Sequence, residues 1–261
     1  MADGREHYGR EQWEQWRRRR EAGLRNPLGW LSLVGLHWLG PLPSEVDTVP
    51  GRWSVDGDVV LLTTTAEDGL TIDGEPIAGD LRIKPTETRI QFGERDIEII
   101  KRGGGWYALR VRDPHARTLA EFQGVPMFPF SADWVVQGHY EPYPEPETIA
   151  LGSVIDGLSS SDVAVGVIRF TAGGQDFAVT AFDGGDGELD LLFRDATSGV
   201  TTYAASRSLG IDRPDAGGRV VLDFNRAYNM PCAFTEFATC PLPPRENILP
   251  LAITAGEQKL H

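Results

Sequence analysis

The sequence predicts a mainly β fold, a β-sandwich or partly closed barrel of antiparallel meanders with a short N-terminal helix. Two observations carry this. From about residue 51 the hydrophobic period is two, the signature of strands with one face buried. Asp-Gly pairs at 56-57, 68-69, 73-74, 156-157, 183-184 and 186-187 punctuate those runs. Glycine there accepts the positive φ that a tight hairpin turn requires. The whole chain, 1–261, reads as one domain: a helix at 9–22, a β body at 51–224 and a structured C-terminal loop segment at 225–261.

The helix comes first. Glu11 to Glu21 contains no Gly or Pro, and Trp13 and Trp16 fall three apart on one face. Gly23 and Asn26-Pro27 stop it. Arg17-Arg18-Arg19-Arg20 lies within it, and consecutive residues spread around a helix rather than forming one basic face, so a solvated surface is expected. Gly29 to Leu39 is apolar and punctuated by glycine, a buried strand or turn. Strands are expected at Asp58–Thr63, Leu81–Lys84, Thr88–Phe92, Ile97–Lys101 and Trp106–Val111. A second set is expected at Trp134–Tyr140, Val163–Phe170, Phe177–Phe182, Leu189–Phe193, Val200–Ala204 and Arg219–Phe224. Between the sets, Pro126–Pro146 is rich in proline and aromatics, a bridge between two halves. The last forty residues hold prolines too closely spaced for a long helix or a central strand.

Acidic residues outnumber basic ones by 38 to 25, a formal net charge of -13. Nucleic-acid and membrane binders draw most of their affinity from basic patches, so neither partner is expected. The only lysines are Lys84, Lys101 and Lys259. Arginine in place of lysine, with abundant Asp and Glu, points to a GC-rich genome and a salt-loving host. No apolar run approaches the roughly 18 residues of a membrane span, and the first residues lack the apolar stretch of a signal peptide. A cytoplasmic location is therefore expected, with Cys232 and Cys240 as free thiols rather than a disulfide.

The run Leu222-Asp223-Phe224-Asn225-Arg226-Ala227-Tyr228-Asn229-Met230-Pro231-Cys232-Ala233-Phe234 is followed by Thr239-Cys240-Pro241-Leu242-Pro243-Pro244, Asn247 and Ala255-Gly256-Glu257. This line resembles the C-terminal signature of an uncharacterised prokaryotic domain-of-unknown-function family. The Gly29-Trp30-Leu31-Ser32-Leu33 run, Arg110 with Asp113 and Arg117, and Thr201 to Arg207 fit the same pattern. Met230 departs from it, standing where a proline is expected. The resemblance implies common descent and brings no accepted activity.

The candidate ligand-binding residues are Arg110, Arg207, Asn225, Tyr228, Asn229 and Cys232. The amides, phenol and thiol of the C-terminal segment must be hydrogen-bonded if buried. They either staple an irregular backbone or face a ligand, and both can hold at once. Arg110 and Arg112 share a strand face opposite Leu109 and Val111. Buried, these arginines and Arg207 would need carboxylates such as Asp113 or Asp195, or an anionic ligand. Surface ion pairs are the expectation.

No complete catalytic or metal constellation is present. Cys232 and Cys240 have seven residues between them, wider than zinc pairs, with His115 or His139 as the remaining ligands. A nucleophilic Cys232 would need His37 or His139 as base. No Gly-x-Ser-x-Gly elbow occurs. Gly103-Gly104-Gly105 lies between strands, as a hairpin turn and not a phosphate loop. Asp183, Asp186, Glu188 and Asp190 have turn spacing rather than that of a calcium loop. No metal and no cofactor is therefore expected. The leading expectation is a small-molecule-binding domain with a polar pocket near the 225-240 loop, taking a small polar or anionic molecule. The alternatives are a hydrolase-type enzyme using Cys232 or a carboxylate, and a structural or protein-interaction module.

Overall fold

The computed structural model describes residues 8–85 and 88–260. The fold is mainly β: three antiparallel sheets and one N-terminal helix, with no closed barrel among the described residues. The chain divides into two compact units. An N-terminal unit holds Gly23–Gln123 with Phe234–Ala238, and a C-terminal unit holds Met1–Ala22, Gly124–Ala233 and Thr239–His261. The expected β body of 51–224 is thus shared between two separate cores.

Helix α1, Arg10–Leu24, overlaps the expected 9–22. Its Trp13 is buried in the C-terminal unit, where the indole Nε1 donates to the carbonyl of Asn225 at 2.9 Å and the ring tilts against Phe130 at 5.9 Å. Arg17, Arg18 and Arg19 are exposed, as a solvated face requires, whereas Arg20 turns inward.

Among the described residues the N-terminal unit contains ten strands. They are β1 (Leu33–Leu39), β2 (Ser44–Val46), β3 (Val49–Asp56), β4 (Val59–Thr64), β5 (Leu70–Ile72), β6 (Glu75–Pro76), β7 (Gly79–Ile83), β8 (Ile90–Phe92), β9 (Arg95–Arg102) and β10 (Trp106–Arg112). One sheet runs β1-β10-β9-β8-β5-β6 and the other β2-β3-β4-β7. Alternate residues of both sheets, including Trp53, Leu62, Ile90, Ile97 and Leu109, share one apolar core. The Asp73-Gly74 turn joins β5 to β6 with both residues at positive φ, as a two-residue hairpin requires. Gly103–Gly105 connects β9 to β10 as the expected turn.

The C-terminal unit has one sheet, ordered β16-β11-β12-β13-β14-β15-β17. Its strands are β11 (Val135–Gly152), β12 (Ser159–Ala172), β13 (Gln175–Gly185), β14 (Glu188–Phe193), β15 (Arg207–Ile211), β16 (Arg219–Asp223) and β17 (Tyr228–Asn229). On one face Ile168, Val179, Leu191, Leu209 and Leu222 form the main core with Phe224, and Leu249, Ile253 and Ala255 of the C-terminal tail close it. Alternation puts Leu192 and Phe182 on the opposite face, in a smaller apolar cluster with Leu151 and Ala164.

Three strand expectations are corrected. β11 continues to Gly152 through Pro142, Pro144 and Pro146. Its second neighbour, β16, pairs only as far as His139, so the prolines occupy an edge where no ladder donor is lost. Asp183-Gly184 is not a turn: both residues lie inside β13, at an irregularity in its pairing with β14. Val200–Ala204 is not a strand. Thr201 and Thr202 donate back to the carbonyl of Thr197, whose hydroxyl bonds Asp195 and Thr202, and this local network replaces a ladder. The strand forms later, at β15.

Candidate functional site

The pairing of β15 with β17 sorts the expected site residues onto two faces. Arg207 stands opposite Asn229, and Ser208 opposite Tyr228. Arg207 shares the parity of Leu209 and so enters the main core side. Its side chain is buried, which corrects the expectation of a surface ion pair. It meets Asp195 Oδ1 at 3.4 Å, one of the carboxylates expected for it, and lies over the Phe193 ring. Its Nη1 donates to the carbonyl of Ala255 at 2.5 Å and its Nη2 to that of Ile253 at 3.2 Å.

Asn229 and Asn225 are also occupied by backbone. The Asn229 amide N–H donates to Glu257 Oε2 at 2.7 Å, and its Nδ2 to the carbonyl of Gln258 at 2.8 Å. Glu257 is fully buried and takes Arg20 Nε at 2.9 Å. Asn225 exchanges two bonds with Ser131, accepting its amide N–H and donating Nδ2 to its carbonyl, and Nδ2 also reaches Asp223. These residues staple the C-terminal segment to the sheet, so most of their bonding capacity is spent.

Tyr228 faces the other way. It stands directly across the strand pair from Ser208, whose Oγ donates to Asp190 Oδ1 at 2.6 Å. Register explains the cluster, because β14, β15 and β17 are neighbours and the three side chains share one face. Burial pushes the Asp190 carboxyl above the usual carboxylate range; the Ser208 bond opposes this and the charge of Asp162 adds to it. Burial, then the Asp190 charge, raises the Tyr228 phenol as well. Arg20 lies over the Tyr228 ring at 4.8 Å. On the same face stands the smaller apolar cluster of Leu151, Ala164, Phe182 and Leu192, against which Tyr143, Ile149 and Met230 pack. A half-buried carboxyl, a hydroxyl and a phenol in series beside an apolar wall can donate to and accept from a polar ligand, and a carboxyl of raised pKa can exchange a proton.

Cys232 sits in the short turn Pro231–Ala233, and its amide N–H donates to Cys240 Sγ at 3.2 Å. Both cysteines are free thiols. The Cys240 thiol, and then the Tyr203 hydroxyl, hold the Cys232 thiol below its usual range against an opposing effect of burial.

Arg110 belongs to the N-terminal unit, apart from the other five. It is buried, again against expectation, and its partner is Glu98 rather than Asp113, which pairs with Arg95. Arg110 and Arg112 both lie over the Trp30 ring, at 5.2 and 5.4 Å, and Arg112 meets Glu98 at 2.9 Å. A groove of about 320 Å³ opens beside them, between Trp30, Arg89, Asp96 and Glu98. Among the described residues, no three His, Cys, Asp or Glu side chains converge to hold a metal ion.

Sequence reasoning missed Ser208, the individual role of Glu257 and the partnership of Asp190. The Asp190 carboxylate was visible, but its position among turn residues hid the strand register that buries it. The Arg207-Ser208-Leu209-Gly210-Ile211 alternation could have found Ser208 once β15 was recognised.

A family model described as "Protein of unknown function (DUF1684)" matches residues 120–258. Among solved structures, the chain is similar to the solution NMR structure of an uncharacterized protein from gene locus rrnAC0354 of Haloarcula marismortui. That likeness is at 31% identity, covering 56% of this chain and 80% of that one, with a TM-score of 0.45. No curated protein matches the chain.

Proposed function

Because the chain belongs to the DUF1684 family of proteins of unknown function, we propose a role from its own site: a cytoplasmic small-molecule-binding domain whose ligand rests on Asp190, Ser208 and Tyr228, beside the 225-240 segment. The observation that carries this reading is the half-buried Asp190–Ser208–Tyr228 cluster, whose polar atoms stand on the face opposite the main core. Arg207, Asn225 and Asn229 support the shelf from behind by holding the tail in place.

The electrostatics select among ligands. Asp190, Asp162 and Glu257 surround the position, and the nearby cation, Arg20, is paired with Glu257. A neutral hydroxylated or an amine-bearing molecule is favoured over an anion, because the carboxyls repel negative charge. The apolar cluster suits a ligand with one hydrocarbon face.

A hydrolase-type reading draws on one observation, the raised Asp190 carboxyl next to a hydroxyl, which suits general acid–base work. The test is a thermal-shift screen with polyols, aliphatic amines and small carboxylic acids. Ligands that bind the folded state raise its melting temperature. We expect shifts from polyols or amines, lost in Tyr228→Phe and Asp190→Asn variants that remain folded. Shifts from the acids alone would overturn the assignment of this site. Turnover of a bound ester or amide, abolished by Asp190→Asn, would favour the hydrolase.

The net charge of -13 supports a further reading, adaptation of the surface to high salt.

A further inference from the structure

We propose that Cys232 and Cys240 form a peroxide-oxidisable dithiol, with Cys232 as the attacking thiol and Cys240 as the resolving one. The argument begins with the backbone. Ser153 bridges to Pro241 in an antiparallel pair, and the carbonyl of Cys240 accepts from Val154 N at 3.1 Å and from Ser153 Oγ at 3.3 Å. Cys240 is therefore fixed against the end of β11 and is buried. Cys232 is held from the other side: the Tyr203 hydroxyl donates to its carbonyl at 2.9 Å, and Ala233 N closes the turn onto the Met230 carbonyl at 2.9 Å. Both residues are thus pinned independently, and the pinning brings Cys240 Sγ to 3.2 Å from the Cys232 amide nitrogen.

The chemistry follows from the asymmetry of the pair. Cys232 is the more exposed of the two, and the neighbouring Cys240 thiol favours its thiolate. The co-reactant is hydrogen peroxide or an alkyl hydroperoxide. The Cys232 thiolate attacks the terminal peroxide oxygen, a S–O bond forms and the O–O bond breaks. Cys232 becomes a sulfenic acid, and the peroxide leaves as water or an alcohol after taking a proton. Cys240 then attacks the Cys232 sulfur. The S–S bond forms, the S–O bond breaks, and hydroxide departs with the Cys240 proton as a second water. Two thiols are oxidised and one peroxide is reduced. No other group in the chain is consumed, and the step is independent of ligand binding at Asp190.

The experiment uses the full chain, reduced, freed of reductant and treated with one equivalent of hydrogen peroxide, then alkylated and weighed intact. We expect a monomer lighter by two hydrogens, with neither cysteine alkylated, and recovery of both alkylation sites after dithiothreitol. Two alkylated cysteines after peroxide, a gain of two or three oxygens, or a covalent dimer would each overturn the dithiol. The roles are read from Cys240→Ser and Cys232→Ser treated in the presence of dimedone. The first should trap a sulfenic acid on Cys232, and the second should give no adduct. An adduct on Cys240 in the second variant overturns the assignment of roles. The wild-type mass measurement stands if a variant fails to fold.

Discussion

Arg207 is surrounded by acceptors: Asp195 Oδ1 and the carbonyls of Ile253, Ala255 and Glu257. A buried charge is tolerable only with such compensation, and removing one partner leaves the rest desolvated. Replacement by methionine keeps much of the volume and strips every bond. Chemical denaturation of Arg207→Met should show a loss of about 3–5 kcal/mol. Asp190 gives the opposite case. Its folded carboxyl titrates above the unfolded one, because burial disfavours the charge. Between those two values the folded state holds the extra proton, so this residue's contribution to stability falls as pH rises through the window. Asp190→Asn keeps an acceptor for the Ser208 hydroxyl and removes the charge. Melting temperatures followed upward in pH from the ordinary aspartate range should decline less steeply in this variant than in the wild type.

Among the elements, β11 and β12 make the longest pair, and it is broken by an irregularity between Pro142 and Glu147. Gly166 sits at that break. A Cβ there would stand 2.3 Å from the Glu141 carbonyl oxygen and 2.6 Å from the Tyr140 ring, both fixed by the ladder. Gly166→Ala should cost about 1–3 kcal/mol in urea unfolding, the usual range for overpacking, and an unchanged midpoint would contradict the tight crossing. Such particulars explain what was readable from sequence. β4, β9, β10 and β14 announced themselves as short runs rich in Val, Ile, Leu and aromatics, and β10 and β14 bury both faces over much of their length. β15 did not, because its inward residue at one end is an arginine and its outward positions include Ser208 and Gly210. The prolines of β11 signalled a break to a local reading, whereas the missing neighbour that makes them harmless is a property of topology. The candidate site was readable only in part. Tyr228 and Cys232 were visible as chemistry, but the cross-strand register that places Asp190 and Ser208 beside Tyr228 is long-range information. Asn225 and Asn229 were correctly seen as groups needing partners, and those partners lie far along the chain, at Ser131, Glu257 and Gln258.

For the molecule as a whole, the charge of -13 sets its response to salt. Exposed carboxylates repel one another, and at 1 M salt the screening length is about 3 Å. The melting temperature should therefore rise from dilute buffer to molar KCl, and a higher value in dilute buffer would remove the case for a salt-adapted surface. The division into two units bears on order of assembly. The N-terminal unit draws almost all of its residues from Gly23–Gln123, whereas the C-terminal unit gathers α1, the seven-stranded sheet and the tail. Arg207 has its carbonyl acceptors only once residues 253–257 are in place. On a nascent chain leaving the ribosome, the C-terminal core must wait for those residues with its arginine still hydrated, while the sheets of Gly23–Gln123 are free to form long before.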